Sequence, residues 1–386
     1  MTISHPSKVN IRILASGIDS LYLSVSVDWG EDEAFFNALR NGQEMARADG
    51  SDYQIYLKHI DPDKTWPFII LPHGSKGFAW IITNSDFTFK IANSPKAKTR
   101  ANIAIEIRSE ALWRLGPVEA VRIAQSLIEV YGGCIEKLKV SRADLCLDFI
   151  IPEELWTEDV FQYAVTRATD KSFYHSHDKL TGVRIGKGVV SARLYDKPLE
   201  IQQQSKKVWM YEIWGIDQVP PDSRVIRIEF QLRREALKQL GLDSVEDLFE
   251  KVSQVWAYCT REWLKFQDRP GCHHTQRKTF GWYEQIQDGF MGIQGAEPLV
   301  REKADFAERR RLLSQGYGYM VSLYAKILDE HDADPSKPIS IDDCLDAFFW
   351  ELLKNKKHLS DIREKVARKR AKYHREAASS PVECPF

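Results

Sequence analysis

The sequence predicts an α+β protein: antiparallel sheets with packed helices, built as a duplicated αβ unit forming one large domain, followed by a helical C-terminal region. Three observations predict it. Short segments with period-two alternation recur through the first 266 residues, as half-buried strands require. Amphipathic helical stretches separate them. One strand-to-helix motif is also written twice: Ile103-Ala104-Ile105-Glu106-Ile107 with Glu110-Ala111-Leu112 and Leu115-Gly116 recurs as Ile226-Arg227-Ile228-Glu229-Phe230 with Glu235-Ala236-Leu237 and Leu240-Gly241. The second copy has two extra residues. The match is either a duplication or a chance likeness, and a duplication would let two sheets join edge to edge.

In chain order, Ser20 to Val27 alternates Leu21, Leu23, Val25 and Val27 with polar neighbours, and a helix is expected from Asp32 to about Ala48. Tyr53 to His59, Trp66 to Pro72, Phe78 to Ile91 (a hairpin around Asn84-Ser85-Asp86) and Asn102 to Arg108 read as strands, and Pro117 to Tyr131 as an amphipathic helix. A second series follows: Val140 to Ile151 as a strand, Thr157 to Thr169 as a helix capped by Thr157, and Val183 to Lys197 as strands around Gly186-Lys187-Gly188. Ile226 to Leu232 is then a strand and Ser244 to Trp263 a helix. The expected divisions are 1–139 and 140–266 as the two halves, 267–298 as a polar linker, and 299–386 as a helical basic region broken at Asp334-Pro335-Ser336-Lys337-Pro338.

Composition narrows the class. With 386 residues, 43% hydrophobic and 28% charged, the chain is of ordinary soluble type. The absence of a signal-like N-terminus or a run of eighteen apolar residues leads us to expect a cytoplasmic protein with no membrane partner. Six scattered cysteines without a CxxC pair read as free thiols. The net charge of -1 announces no nucleic-acid partner. Its distribution is uneven, however: ten Lys and Arg lie between Lys354 and Arg375 against Asp361 and Glu364, which reads either as a phosphate-binding segment, with Arg368, Lys369 and Arg370 at its densest point, or as a solvated helix face.

Three strands of the second half carry reactive side chains on one face. Alternation puts Ala143, Leu145, Leu147 and Phe149 on one side of the first and Arg142, Asp144, Cys146 and Asp148 on the other. Ser191 to Lys197 presents Arg193, Tyr195 and Lys197; Ile226 to Leu232 presents Arg227, Glu229 and Gln231. Carboxylates, guanidinia, an amine and a phenol on one face suit phosphodiester chemistry, with Mg²⁺ or Mn²⁺ on the carboxylates and the phenol as nucleophile. A tyrosine pKa of about 10 calls for a base or a nearby cation, which Lys197 could supply. Asp144 and Asp148 lie roughly 13 Å apart along a strand at about 3.3 Å per residue, too far to share one ion. Asp144 and Glu229 are therefore the preferred metal ligands, with Asp148 the substitute if the register falls the other way. The bland alternative is an inter-strand salt-bridge lattice.

The segments Ser-Arg-Ala-Asp-Leu-Cys-Leu-Asp-Phe at 141–149, Ala-Arg-Leu-Tyr-Asp-Lys-Pro-Leu-Glu at 192–200 and Arg-Ile-Glu-Phe-Gln-Leu-Arg at 227–233 resemble the three motifs of the replication initiation factor family of rolling-circle plasmids, filamentous phages and some conjugative-transposon relaxases. The resemblance covers about residues 140–265. It implies nicking of one DNA strand by a tyrosine that keeps the 5′ phosphate and leaves a 3′-hydroxyl primer. Here that assigns Tyr195 as nucleophile, Arg193 and Lys197 beside it, and Asp144, Asp148 and Glu229 as the acidic set. It further implies origin DNA, single-stranded or hairpin at the nick, as partner, and a helicase as a possible second one. Arg142 and Arg227 join Arg368, Lys369 and Arg370 as expected DNA contacts. Pro198 and the long helical tail do not match the family pattern. A conjugative relaxase would share this chemistry; a non-catalytic DNA-binding regulator or loading factor would share only the phosphate contacts.

Weaker signals are His175-Ser176-His177, a metal-ligand pattern in what reads as a loop, and Cys272-His273-His274 near Cys259, which lacks zinc spacing. Gly182 to Gly188 reads as a turn rather than a phosphate loop. Trp256, Trp263, Phe266, Trp282, Tyr283 and Tyr317 suit a core better than a base-stacking surface.

Overall fold

The computed structural model describes residues 9–30, 33–58, 65–268, 277–292, 295–301, 309–330, 340–354 and 366. It divides into two compact units, Met1–Glu302 and Lys303–Phe386. In the first unit the elements are β1 (Arg12–Asp28), α1 (Ala34–Asp49), β2 (Tyr53–Lys58), β3 (Thr65–Ile70), β4 (Trp80–Thr83), β5 (Phe87–Ile91), β6 (Ile103–Ile107), α2 (Ser109–Leu115) and α3 (Pro117–Val130). Next come β7 (Cys134–Pro152), β8 (Ala164–Thr166), β9 (Lys171–Ser176), β10 (Lys179–Ile185), β11 (Val190–Asp196), α4 (Lys197–Glu200), α5 (Met210–Trp214) and β12 (Ser223–Arg233). The unit ends with α6 (Arg234–Gln239), α7 (Val245–Glu250), α8 (Val252–Ala257), β13 (Leu264–Phe266) and α9 (Gly281–Asp288). The second unit contains α10 (Arg309–Glu330) and α11 (Ile341–Lys354).

The expected α+β class is what the structure has. One antiparallel sheet of eleven strands, in the order β2-β3-β4-β5-β6-β1-β7-β12-β11-β10-β9, runs through the first unit. The order is the same read outward from its centre: β6, β5, β4 flank β1 as β12, β11, β10 flank β7. The two halves join edge to edge through the long pair β1 and β7, where Leu21 faces Ala143 and Leu23 faces Val140.

Alternation explains the core. Leu21, Leu23, Val25, Leu145, Leu147, Phe149, Ile226, Ile228 and Phe230 are all buried on one face. α1 packs on β2 and β3, α3 on β6 and β7, and α6 on β7 and β12. Truncating Leu145 or Leu147 to alanine would cost about 2–5 kcal/mol. Local signals set the helix ends: Pro117 opens α3, Ser244 accepts from Asp247 N at 3.0 Å in a capping box before α7, and Gly50, at φ 66°, closes α1.

Three expectations are corrected. Residues 157–169 do not form one helix: a 3-10 turn, Glu158–Tyr163, gives way to β8, which pairs with β13. The segment Lys171 to Lys179 is no loop but edge strand β9 and its turn into β10; polar residues are what an exposed edge favours. The linker expected at 267–298 contains α9, whose Trp282, Tyr283 and Ile286 are buried in the core, with Tyr283 Oη donating to Leu264 O at 2.9 Å. Gly- and Gln-rich flanks hid a short apolar face. The hairpin around Gly186 is as expected, although Gly182 lies inside β10 rather than in the turn. Cys134, Cys146, Cys259 and Cys344 are free thiols. No helix among the described residues is long and apolar enough to cross a membrane.

Candidate active site on the second half of the sheet

Register decides which polar residues meet. Arg193 faces Glu229 across β11 and β12, and Tyr195 faces Arg227. Across β12 and β7, Glu229 faces Cys146, Gln231 faces Asp144, and Arg227 faces Asp148. Residues opposite one another share a face. The three expected strands are therefore neighbours, and their reactive residues fall into two clusters.

The first cluster opens on a cleft of about 390 Å³ between β10, β11 and the segment after α4. The Tyr195 hydroxyl donates to Glu229 Oε2 at 3.0 Å. Arg193 Nη2 donates to Glu229 Oε1 and lies 3.8 Å from Asp144 Oδ2, so one guanidinium sits between two buried carboxylates. Arg142 grips Asp144 from the other side, Nε to Oδ1 at 2.8 Å and Nη2 to Oδ2, while lying over the Tyr22 ring. Burial, with Glu229 close by, pushes the Asp144 carboxyl up to about 7, against the pull of Arg142. Burial and then Glu229 raise the Tyr195 phenol well above its ordinary value. At rest the phenol is protonated.

The second cluster is buried. Arg227 donates to both oxygens of Asp148, Nε to Oδ1 at 2.6 Å and Nη2 to Oδ2 at 2.7 Å, and through Nη1 to Asp19 at 2.7 Å. Trp214 Nε1 completes Asp148 at 2.8 Å; Ser109 Oγ and Trp113 Nε1 complete Asp19. Burial would raise the Asp19 carboxyl, but Arg227, with Lys207 and Lys197 behind it, holds it far below the carboxylate range. Residues 197–219 create this burial by folding back over the sheet: Ile201, Met210 and Trp214 pack with Val225 and Ile150 on the face opposite the main core.

Several expectations change accordingly. Asp148 is no substitute ligand: Arg227 and Trp214 hold its oxygens and Arg227 has no exposed surface, whereas Arg193, the cation between Asp144 and Glu229, is 45% exposed. Arg227, with no exposed surface, cannot contact DNA. Arg142 is also committed, to Asp144. Lys197 is nearly buried and pairs with Glu200 at 2.5 Å, its Nζ 5.6 Å from the Tyr195 ring centroid. Burial and Arg227 lower its pKa. It is not on the strand: β11 stops at Asp196, which caps α4 by accepting from Leu199 N at 3.0 Å, and Pro198 fits the first helical turn. The unmatched proline is a helix start. Arg368, Lys369, Arg370 and the Cys272-His273-His274 group lie outside the described residues. His175 pairs with Glu158 at 2.8 Å.

Sequence reasoning missed Asp19 and Trp214, whose signals were weak: an acid inside an apolar alternation, and a tryptophan in a segment with no strand or helix pattern. Among the described residues no group of three or more His, Cys, Asp or Glu is close enough to hold a metal. Mg²⁺, however, commonly takes only one or two carboxylates and completes its shell with water and substrate phosphate. Asp144 and Glu229, which already flank one cationic group, fit that donor set.

No family model matches the chain, and no curated protein does. Among solved structures, the rolling circle replication initiator protein from Geobacillus stearothermophilus is similar at 12% identity and a TM-score of 0.43, over 75% of this chain and 100% of that one. A likeness of this extent says nothing about the chemistry of Arg193, Tyr195 or Glu229.

Proposed function

We propose that this protein is a rolling-circle-type DNA nicking enzyme that cuts one strand through Tyr195. The observation that carries the reading is the Tyr195–Glu229 hydrogen bond at 3.0 Å, beside Asp144 and two arginines, with Tyr195 lining an open cleft. A phenol within reach of a carboxylate is a nucleophile paired with its base.

In this reading Glu229 takes the phenolic proton as Tyr195 Oη bonds to phosphorus. The bond from phosphorus to the 3′ oxygen breaks, and that oxygen takes a proton from water. The products are a 5′-phosphotyrosine and a 3′-hydroxyl that can prime synthesis. Arg193, 45% exposed, can turn from the carboxylates to the phosphate without leaving the site. Asp144 and Glu229 would hold Mg²⁺ or Mn²⁺, which when bound supplies charge stabilisation at the phosphate and offsets the carboxylate pair. Lys197 and the Arg227 cluster fix the floor beneath Tyr195. The substrate is origin DNA, unpaired at the nick; conjugative transfer would use the same residues.

The test is to incubate the protein with labelled single-stranded DNA and Mn²⁺, denature it, and look for label migrating with protein. An adduct in wild type that is absent in Tyr195→Phe and in chelator supports the reading. Absence of an adduct in every sample, with DNA of the protein's own replicon included, would leave a DNA-binding regulator.

A further inference from the structure

The nick-site cleft has a second wall. On β10, Gly182 faces Tyr195 of β11 on one side and Tyr174 of β9 on the other, and Arg184 faces Arg193 and Ser172 in the next row. Directly opposed residues share a face, so Tyr174, Gly182 and Tyr195 form one row across three strands. All three line the cleft, as do Arg184 and Arg193.

Glycine at the middle of that row leaves a slot. A Cβ on Gly182 would lie 3.1 Å from the Tyr195 Cβ. With no side chain there, the backbones that carry the two tyrosines stand two strand spacings apart, roughly 10 Å. A flat ring stacked between two others needs about 7 Å at the 3.4 Å spacing of stacked bases. Tyr174 is 52% exposed and lines the cleft.

Arg184 supplies the charge. Its side chain makes no hydrogen bond or ion pair among the described residues, and its Nε is out of water without a partner. It also lies directly across from Arg193, and like charges so placed repel unless something negative lies between them. Arg193 is neutralised by Glu229; Arg184 has no such partner.

We infer that Tyr174, Gly182 and Arg184 form a subsite for one unpaired nucleotide next to the scissile phosphate, its base in the Gly182 slot against Tyr174 and its phosphate on Arg184. The subsite rests on the nicking reading for its place beside the reaction, but its binding role is separable from cleavage. It takes a single strand, because a paired base cannot enter the slot.

The experiment measures affinity of the full chain for a fluorescein-labelled mixed-sequence single-stranded oligonucleotide by anisotropy, in chelator, across a salt series. Arg184→Gln should weaken binding and reduce the slope of log affinity against log salt by about 0.7, the value for one phosphate contact on a single strand. Arg184→Lys should keep the slope. Tyr174→Ala should weaken binding by about 5- to 150-fold, the equivalent of one stacked base, and Tyr174→Phe should restore it. Thermal melts establish that the variants are folded, and both positions lie on the cleft wall rather than in the core. Wild-type affinity and slope in Arg184→Gln, or no single-strand binding by wild type, would overturn the subsite. If the affinity losses occur but wild type never forms an adduct with Mn²⁺, the subsite stands and the nicking reading falls. If wild type forms the adduct and both variants bind normally, the subsite falls alone.

Discussion

The two halves of the sheet offer the same frame to different side chains. Glu106 on β6 corresponds in the repeated motif to Glu229 on β12, and both accept a tyrosine hydroxyl: Tyr22 at 2.7 Å and Tyr195 at 3.0 Å. The surroundings differ. Glu106 faces Thr88 where Glu229 faces Arg193, and Ala104 faces Lys90 where Arg227 faces Tyr195. Next to Glu229 stands a second carboxylate, Asp144; β1 offers Ser20 at the matching place, through its pairing with Asp144 itself. The tyrosines come from opposite sides, Tyr22 from β1 where the second half has Cys146 on β7, and Tyr195 from β11 where the first half has Lys90 on β5; what sets the second half apart is therefore the place of its tyrosine, a second acid and the arginine between the acids. The first half has become a support, giving Asp19, Ser109 and Trp113 to the Arg227 cluster.

That contrast can be broken first at the tyrosines. Tyr195→Phe should lower adduct formation by a factor on the order of 10⁴ or more, the scale of losing a nucleophile, whereas Tyr22→Phe should leave it unchanged in the same gel assay. Equal loss in both would end the distinction between the halves. Arg227→Met should next cost about 3–5 kcal/mol by urea unfolding, because Asp148 and Asp19 are left buried without their cation; Lys90, on the first-half face, should cost little when changed to Met. At the acids, Glu229→Gln should slow nicking by about 10²- to 10³-fold as the base is lost, and Glu106→Gln should not slow it.

The smallest effect is in pH. Between the ordinary carboxylate range and about pH 7 the folded chain keeps a proton on Asp144 that the unfolded chain has released. Stability from this group is therefore present at lower pH and declines as pH rises through that window. Asp144→Asn should flatten this part of the profile of urea midpoint against pH. For wild type, the Mn²⁺ concentration needed for half-maximal nicking should fall as pH rises through about 7, since only the ionised carboxyl can hold the ion.

Much of this was legible in the sequence for a physical reason: period-two alternation is imposed locally, by each strand having one buried face. It revealed the β7, β11 and β12 faces and the pairing of Asp144 with Glu229 as a candidate site. What it could not reveal was which polar residues are shut away from the cleft. Asp148 and Arg227 have the same alternation as Asp144 and Glu229, and only the fold-back of residues 197–219, with Met210 and Trp214 over them, makes them structural. That return depends on contacts between distant segments, Trp214 with Asp148 and Arg227 with Asp19, 208 residues apart, which no local pattern records. Gly182 and Arg184 were equally silent, because a glycine in a strand and an arginine near a turn acquire meaning only beside Tyr174 and Tyr195.

The seam between β1 and β7 sets the order in which the protein can be made. Leu21 pairs with Ala143, 122 residues later. β6, complete at Ile107, can dock on one edge of β1, but the opposite edge must wait until β7 ends at Pro152, 45 residues on. At a synthesis rate of about 5–20 residues per second, a long apolar strand with one unpaired edge waits on the order of 2 to 9 seconds. During that interval the open edge of β1 can pair with a second nascent copy, so the central strand is where misassembly of this chain would begin.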